Sequence, residues 1–339
     1  GGQRASGGGR ADGRPFGQAR RPAPPRGPRF DAVVPPKGYL WWYLDAVSDD
    51  GRNALTLIAF VGSVFSPYYG WSGRRDPENH CAINVALYGS GARWAMTERG
   101  RSAISRSEHA FQVGTSALCW REDGTLVITL DEIAAPIPRR VRGTIRVAPA
   151  IMPQTAFALD AAALHIWQPI APVARVCVEL ERPALVWNGS AYLDSNRGDE
   201  PLEDGFRSWT WSRAHTAAGC VVFYDSIARD GEARSMALGC GDDGAITALD
   251  PPPERALPGT LWRVARTSRA DAGAACDVER TLEDTPFYAR SLLRTTVYGE
   301  RVQSFHESLS LDRFRSPVVK AMLPFRMPRR SGGAGRLKE

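Results

Sequence analysis

Short runs of apolar residues, several with a polar residue at every second position, recur along this chain between clusters of turn-forming residues. Leu55–Phe65, Cys81–Tyr88, Ala117–Trp120, Thr125–Leu130 and Gly143–Val147 are of this kind. So are Arg175–Leu180, Ser208–Arg213, Cys220–Ser226, Ser235–Cys240 and Ala289–Val297. Strand side chains alternate between two faces, so Thr144-Ile145-Arg146-Val147 reads as a strand with one face in a core and one in water. Asp49-Asp50-Gly51, Glu122-Asp123-Gly124, Arg229-Asp230-Gly231 and Asp242-Asp243-Gly244 supply turns between runs. Helical periodicity is nearly absent. Its best candidate is Ser316–Met322, with Ser316 as cap, Pro317 in the first turn, and Val318, Val319 and Met322 turned inward. Many short strands with few short helices predict an all-β protein of sandwiches or barrels. At 339 residues, two β domains fit better than one. The segment Gln168-Pro169-Ile170-Ala171-Pro172 breaks a strand-rich region with two prolines, which predicts domains at 30–167 and 168–323.

Charge changes this picture only at the ends. The chain carries +6 overall. Residues 1–30 hold seven Arg against one Asp, and residues 324–339 hold four Arg and one Lys against one Glu, so the body between them is about −4. A folded body of that sign is no nucleic-acid-binding surface. The Gly/Arg/Pro-rich segment 1–29 and the basic segment 324–339 are expected to be solvated, disordered tails. Each basic residue near an anionic membrane surface would contribute about 1 kcal/mol, so peripheral membrane contact is compatible with them. No run reaches the ~18 apolar residues of a spanning helix, and the first residues hold no apolar signal-peptide core. A soluble, cytoplasmic protein that visits a membrane is the expectation. The six cysteines form no CxxC and no zinc-like spacing with His, and read as buried thiols in a reducing compartment. A Cys220–Cys240 bridge across a hairpin has no positive support.

There is no phosphate loop, dinucleotide fingerprint, HExxH or GxSxG. The chain is therefore expected to work without a cofactor or metal, or not to be an enzyme. Two triplets carry candidate chemistry. In His165-Ile166-Trp167 and in Tyr192-Leu193-Asp194 the outer residues share a strand face. Two such strands on one cavity would bring together an imidazole, an indole, a phenol and a carboxyl. The ordinary alternative is a core Trp and Tyr with His and Asp at a polar rim. A second set is aromatic: Trp41-Trp42-Tyr43, then Tyr68, Tyr69 and Trp71, then Trp209 and Trp211. It reads equally as core packing or as the lining of a tunnel for a long apolar ligand.

Several segments resemble the acyclic carotenoid 1,2-hydratases of photosynthetic bacteria, also called hydroxyneurosporene synthases. They are Gly38–Ala46, Phe60–Tyr69, Asn79–Gly89, Trp94–Gly100, His165–Pro169, Gly189–Asn196, Ser208–Arg213 and Ser316–Met327. The likeness runs from about residue 30 to 328 and leaves out both tails. It implies a two-part, lipocalin-like β fold at the inner, photosynthetic membrane. It also implies addition of water to the terminal C1=C2 bond of an acyclic carotenoid such as lycopene or neurosporene. The family's catalytic residues map onto His165, Trp167, Tyr192 and Asp194, and Trp41, Tyr68, Tyr69, Trp71, Trp209 and Trp211 become candidate substrate contacts.

An isolated trisubstituted alkene is a poor base. Protonation at C2 leaves the more stable tertiary cation at C1, so the reaction needs a carboxylic acid still protonated near neutral pH. Asp194 is the expected donor. An exposed Asp has a pKa of about 3.9, and full burial raises it by about 3–5. Ring faces of Trp167 and Tyr192 would stabilise the cation by about 2 kcal/mol or more. His165 either orients the Asp194 proton or activates the water. The rivals are a cofactor-free isomerase or cyclase on the same scaffold, and a non-catalytic carrier of lipophilic ligands.

Overall fold

The computed structural model describes residues 27–330, in two curled, largely antiparallel sheets packed face to face. The first holds β1 (Tyr39–Ser48), β2 (Ala54–Val61), β3 (Cys81–Tyr88), β4 (Arg93–Arg99), β5 (Ile104–Arg106), β6 (Ala110–Val113), β7 (Ser116–Trp120), β8 (Leu126–Ile133), β9 (Arg140–Pro149), β10 (Phe157–Ala158), β11 (His165–Arg182) and β12 (Leu185–Gly198). The second holds β13 (Phe206–Thr216), β14 (Gly219–Ala228), β15 (Ala233–Gly241), β16 (Ile246–Ala248), and, after the separate hairpin β17 (Glu254–Ala256) and β18 (Thr267–Arg269), β19 (Cys276–Asp284), β20 (Tyr288–Val297) and β21 (Glu300–Ser310). A last short strand, β22 (Arg329–Arg330), returns to the first sheet and runs parallel to β4. The helices are short: α1 (Pro67–Trp71), α2 (Leu202–Gly205), α3 (Leu311–Phe314) and α4 (Pro317–Met322).

Each sheet face has its own partner, and the sequence pattern follows from that. β8 and β9 alternate buried and partly exposed residues because one face meets water. All ten residues of β1 are buried. Leu40, Trp42, Leu44 and Ala46 enter a core enclosed by the first sheet's own curl, with Phe111, Ile128, Ile145 and Val178. Tyr39, Trp41, Tyr43 and Val47 enter a second core between the sheets, with Trp167, Tyr192, Trp209, Tyr224 and Phe305. A strand buried on both faces reads as a continuous apolar run with no period of two. The curl brings Arg99 of β4 within 3.4 Å of Glu132 of β8.

The proline-rich segment 168–172 lies inside β11, an 18-residue strand whose ladder with β12 shifts register between Pro169 and Ala174. The strand tolerates proline there because the irregular ladder needs no N–H at those positions. The first sheet runs on to Gly198, and the second begins at Phe206. Ser316 and Pro317 begin α4 as the pattern suggested, but Val318 is 70% exposed and only Val319 and Leu323 pack inward against the second core. The expected N-terminal tail lies outside the described residues up to position 26, and the C-terminal one from position 331. Between them, Phe30 is buried against Trp42. Cys220 and Cys240 are cross-strand partners in β14 and β15, buried with free thiols.

Candidate active site

Asp194 sits mid-strand in β12, paired with Tyr43 of β1 on one side and Pro169 of β11 on the other. Tyr192, two residues earlier, shares its face, and so does Trp167 of β11, which pairs with Asn196. The indole N–H of Trp167 donates to Asp194 Oδ2 at 2.7 Å. The Tyr192 hydroxyl donates to the same oxygen at 2.9 Å. Asp194 Oδ1 is buried without a hydrogen-bond partner. Burial raises the carboxyl to about 8; the two donors pull it down, and the negative charges of Glu307 and Asp45 add to the rise. With Oδ2 occupied by two donors, the proton of the neutral acid belongs on Oδ1.

One cavity lies beside this acid, and a second shares part of its wall. A small one of about 30 Å³ is lined by Trp41, Tyr43, Asp194, Asn196, Trp209, Trp211, Tyr224 and Glu307. It has room for water among polar partners. A larger one of about 540 Å³ is bounded mainly by apolar side chains, among them Ile58, Phe60, Phe65, Trp94, Met96, Phe287, Leu309 and Val319. Trp41, Tyr43, Trp209 and Glu307 belong to both walls. Trp262, Met322 and Phe325, all exposed, also line the larger cavity, so it reaches the surface there. The larger, apolar cavity is therefore open to the surface, and four residues of its wall also bound the small cavity that Asp194 lines.

His165 stands two positions along β11 from Trp167 and makes no hydrogen bond to Asp194. Its Nδ1 meets the Tyr39 hydroxyl at 2.8 Å, and its Nε2 lies 3.2 Å from Glu200 Oε1. A neutral ring protonated at Nε2 satisfies both contacts, donating to Glu200 and accepting from Tyr39. Burial lowers its pKa, against the opposing pull of Glu200 and neighbouring acids. The ring lies against Phe206 at 4.8 Å. Tyr39 in turn stacks on Trp41 at 4.9 Å, so His165 reaches the cavity wall through two aromatic rings. Gly198 and Gly205 hold this arrangement: a Cβ on Gly198 would lie 2.7 Å from His165 Nδ1, and one on Gly205 would lie 2.4 Å from Nε2.

Of the aromatic candidates, Trp41 and Trp209 line both cavities and Trp211 the smaller. Tyr68, Tyr69 and Trp71 line neither. Tyr69 is buried with its hydroxyl on the Gly38 carbonyl, and Trp71 is 62% exposed with Tyr68 at its edge. All three lie on α1. Trp167 and Tyr192 contribute hydrogen bonds to the acid, and the rings lining the small cavity are those of Trp41, Tyr43, Trp209, Trp211 and Tyr224. Tyr43 was read only as part of the aromatic run 41–43 and Asn196 was not chosen, although each lies two residues from a chosen position and so on the same strand face. Glu307 had no local signal: β21 reaches the site only through the second sheet.

Two curled antiparallel sheets enclosing an apolar cavity, with a buried carboxyl in a small cavity that shares part of its wall, define a lipocalin-like protein. A putative AttH from Nitrosomonas europaea has the same fold, with a TM-score of 0.56 at 13% identity over 80% of this chain and 92% of that one. Residues 57–335 match the family model described as carotenoid hydratase CrtC, and the chain belongs to that family. It is 56% identical to the acyclic carotenoid 1,2-hydratase of Thiocapsa roseopersicina, over 98% of this chain and 83% of that protein. It is 53% identical to the acyclic carotenoid 1,2-hydratase of Rubrivivax gelatinosus, over 90% of this chain and 76% of that protein.

Proposed function

We propose that this protein hydrates the terminal C1=C2 bond of acyclic carotenoids such as lycopene and neurosporene, with Asp194 as the proton donor. The observation that carries the reading is the asymmetry of the Asp194 carboxyl. One oxygen is held by Trp167 and Tyr192, and the other is buried, unpartnered and beside the cavity. Protons are best delivered by an acid whose pKa lies near the working pH, and about 8 meets that condition. The end of the carotenoid enters the larger cavity, and the rest of the chain trails through the opening. Asp194 Oδ1–H protonates C2, and the tertiary cation forms at C1 among the rings of Trp41, Tyr43, Trp209 and Trp211. Those ring faces stabilise it, each by about 2 kcal/mol when desolvated. Water adds at C1 to give a tertiary alcohol. Trp167 and Tyr192 act by holding the carboxyl in place, and His165 acts as a positioning residue through Tyr39 and Trp41.

Contact with a membrane belongs to this reading, because the substrate dissolves in bilayers. Val318, Met322 and Phe325 are exposed at spacings of four and three residues, which puts them on one side of α4 and the turn after it. Exposed Leu261 and Trp262 adjoin the same opening. Arg326 and Lys320 flank them. We assign this rim to the surface of a lipid leaflet, with the cavity opening onto it. No helix among the described residues is long and apolar enough to cross a membrane.

The decisive experiment is incubation of the protein and its Asp194→Asn variant with lycopene in ¹⁸O-labelled water. Wild type should yield product heavier by labelled water, and the variant should bind lycopene without turnover. A cyclised or isomerised product without label would replace this reading with the cyclase one; a fully active Asp194→Asn would remove Asp194 from the donor role.

A further inference from the structure

Hydration moves two protons. One goes to C2, and one must leave the water that attacks C1. Asp194 accounts for the first. The second wants a carboxylate or imidazole in the wall of the same cavity. His165 lines neither cavity and has both ring nitrogens engaged by Tyr39 and Glu200. Glu307 lines both.

Glu307 lies on β21, opposite Trp211 of β13 and Arg290 of β20. Its Oε1 accepts from Arg290 Nε at 2.9 Å and lies 2.8 Å from Nη2. Both bonds fall on one oxygen, which leaves Oε2 without a hydrogen-bond partner among the described residues. Arg290 is itself buried and immobilised: Nη1 donates to Thr56 Oγ1 at 2.8 Å, to the Tyr88 hydroxyl at 2.7 Å and to Glu283 Oε1 at 2.8 Å. Charge-assisted bonds from a guanidinium fix a carboxylate in place. Asp194 receives only neutral donors. Two carboxyls in one small cavity thus have opposite environments, the arrangement that separates an acid from a base.

Resting on the hydration reading, we propose that Glu307 is the general base: it takes the proton of the attacking water through Oε2. The Asp194 Oδ1–H bond breaks as C2–H forms with the alkene's π pair. A lone pair of water forms the C1–O bond while one water proton passes to Glu307. The product is the neutral alcohol, with Asp194 now a carboxylate and Glu307 a carboxylic acid. Transfer of that proton from Glu307 to Asp194 through water in the 30 Å³ cavity, whose wall contains both groups, restores the starting state. The sum is alkene plus water to alcohol. The negative charge of Glu307 also favours the protonated form of Asp194 before each turnover.

The test is Glu307→Gln, assayed with lycopene against wild type across pH, with binding followed by quenching of tryptophan fluorescence. Loss of a general base typically costs about 10²–10⁴ in rate. The expected result is a kcat lower by at least about 100-fold, lycopene binding within about threefold of wild type, and loss of the acidic limb of the kcat profile. A purely structural Glu307 would weaken binding and leave that limb in place. Where Glu307→Gln does not fold, Glu307→Asp keeps the charge and the Arg290 pair but withdraws the carboxylate by one methylene. It must then lose kcat at unchanged KM. Full activity of either variant, or an acidic limb surviving in Glu307→Gln, overturns the proposal while leaving hydration intact. A wild type that adds no water overturns hydration itself.

Discussion

Asp194 is an acid that the fold keeps neutral, and this has a cost in stability with a definite sign. Its pKa is 3.8 in an unfolded chain and about 8 in the folded protein. Between those values the folded state holds a proton that the unfolded state has released. Stability from this group is fully present below about pH 4 and is lost as pH rises to about 8, at up to about 1.4 kcal/mol per pH unit. In Asp194→Asn the amide oxygen can accept from Trp167 and Tyr192 as Oδ2 does, and no charge is ever buried. The variant's melting temperature should therefore exceed wild type at pH 8 by more than at pH 5. Equal differences at both pH values would mean that Asp194 is not buried as described. The two donors to Oδ2 tune the same equilibrium. Both pull the pKa down, so removing one raises it further. Trp167→Phe and Tyr192→Phe should each move the alkaline limb of activity above its wild-type position while lowering kcat, because the proton loses its fixed seat on Oδ1. An alkaline limb that moves down in either variant would contradict the hydrogen-bond assignment. Tyr192 and Asp194 lie within three consecutive residues of one strand, which made them legible as a pair in the sequence; the hydrogen bond from Trp167, 27 residues earlier on β11, was not.

At the scale of elements, the pattern of polar and apolar residues worked best where a strand has one wet face. Gly143–Val147 and Ser235–Cys240 both lie inside observed strands, Arg140–Pro149 and Ala233–Gly241. It said least about β1 and β11. β1 is buried on both faces, so alternation vanishes, and its aromatic run resembled a ligand lining and a core in equal measure. The structure divides the run: Trp42 packs in the first core, and Trp41 lines the cavity. β11 hides two prolines at a register shift, which resembles a boundary when only local rules are applied. The close approach of β12 to His165 gives this scale its own test. Gly198→Ala would bring a Cβ to 2.4 Å from the Tyr39 ring and 2.7 Å from His165. Overpacking of this kind costs about 1–3 kcal/mol. The expected outcome is a lower melting temperature together with a lower kcat, since Tyr39 stacks on Trp41 in the cavity wall. Unchanged kcat in a destabilised Gly198→Ala would deny His165 and Tyr39 a positioning role.

The whole molecule is held together by the core between its sheets, and buried charged groups cross that contact. Arg213 of β13 is fully buried against Asp45 of β1, and Arg290 of β20 reaches Thr56 of β2 and Tyr88 of β3. Removing one partner of such a buried pair is far costlier than its net worth, about 3–5 kcal/mol. Asp45→Ala should thus lower the unfolding midpoint in urea sharply, although Asp45 lines neither cavity. Only at this scale does the opening of the cavity acquire a surroundings: α4, its following turn and the 261–262 loop present an apolar rim with flanking basic residues. Val318→Asp combined with Leu261→Asp, both exposed and outside the cavity wall, should reduce co-sedimentation with anionic lipid vesicles several-fold while sparing turnover of lycopene dispersed in detergent. Undiminished vesicle binding would deny this rim to the membrane.

Local periodicity and short motifs were enough to specify an all-β chain, most of its one-sided strands, and the same-face pairs His165/Trp167 and Tyr192/Asp194. Those features depend on residues two apart on one strand, and the strand itself enforces them. Which oxygen of Asp194 is left without a partner, which aromatic rings line the cavities, and that Glu307 shares the acid's cavity depended on the packing of the two sheets. Asp194 and Glu307 are more than a hundred residues apart on different sheets, and no local rule of spacing links them. They meet because β1, buried on both faces, binds the first sheet's core to the second.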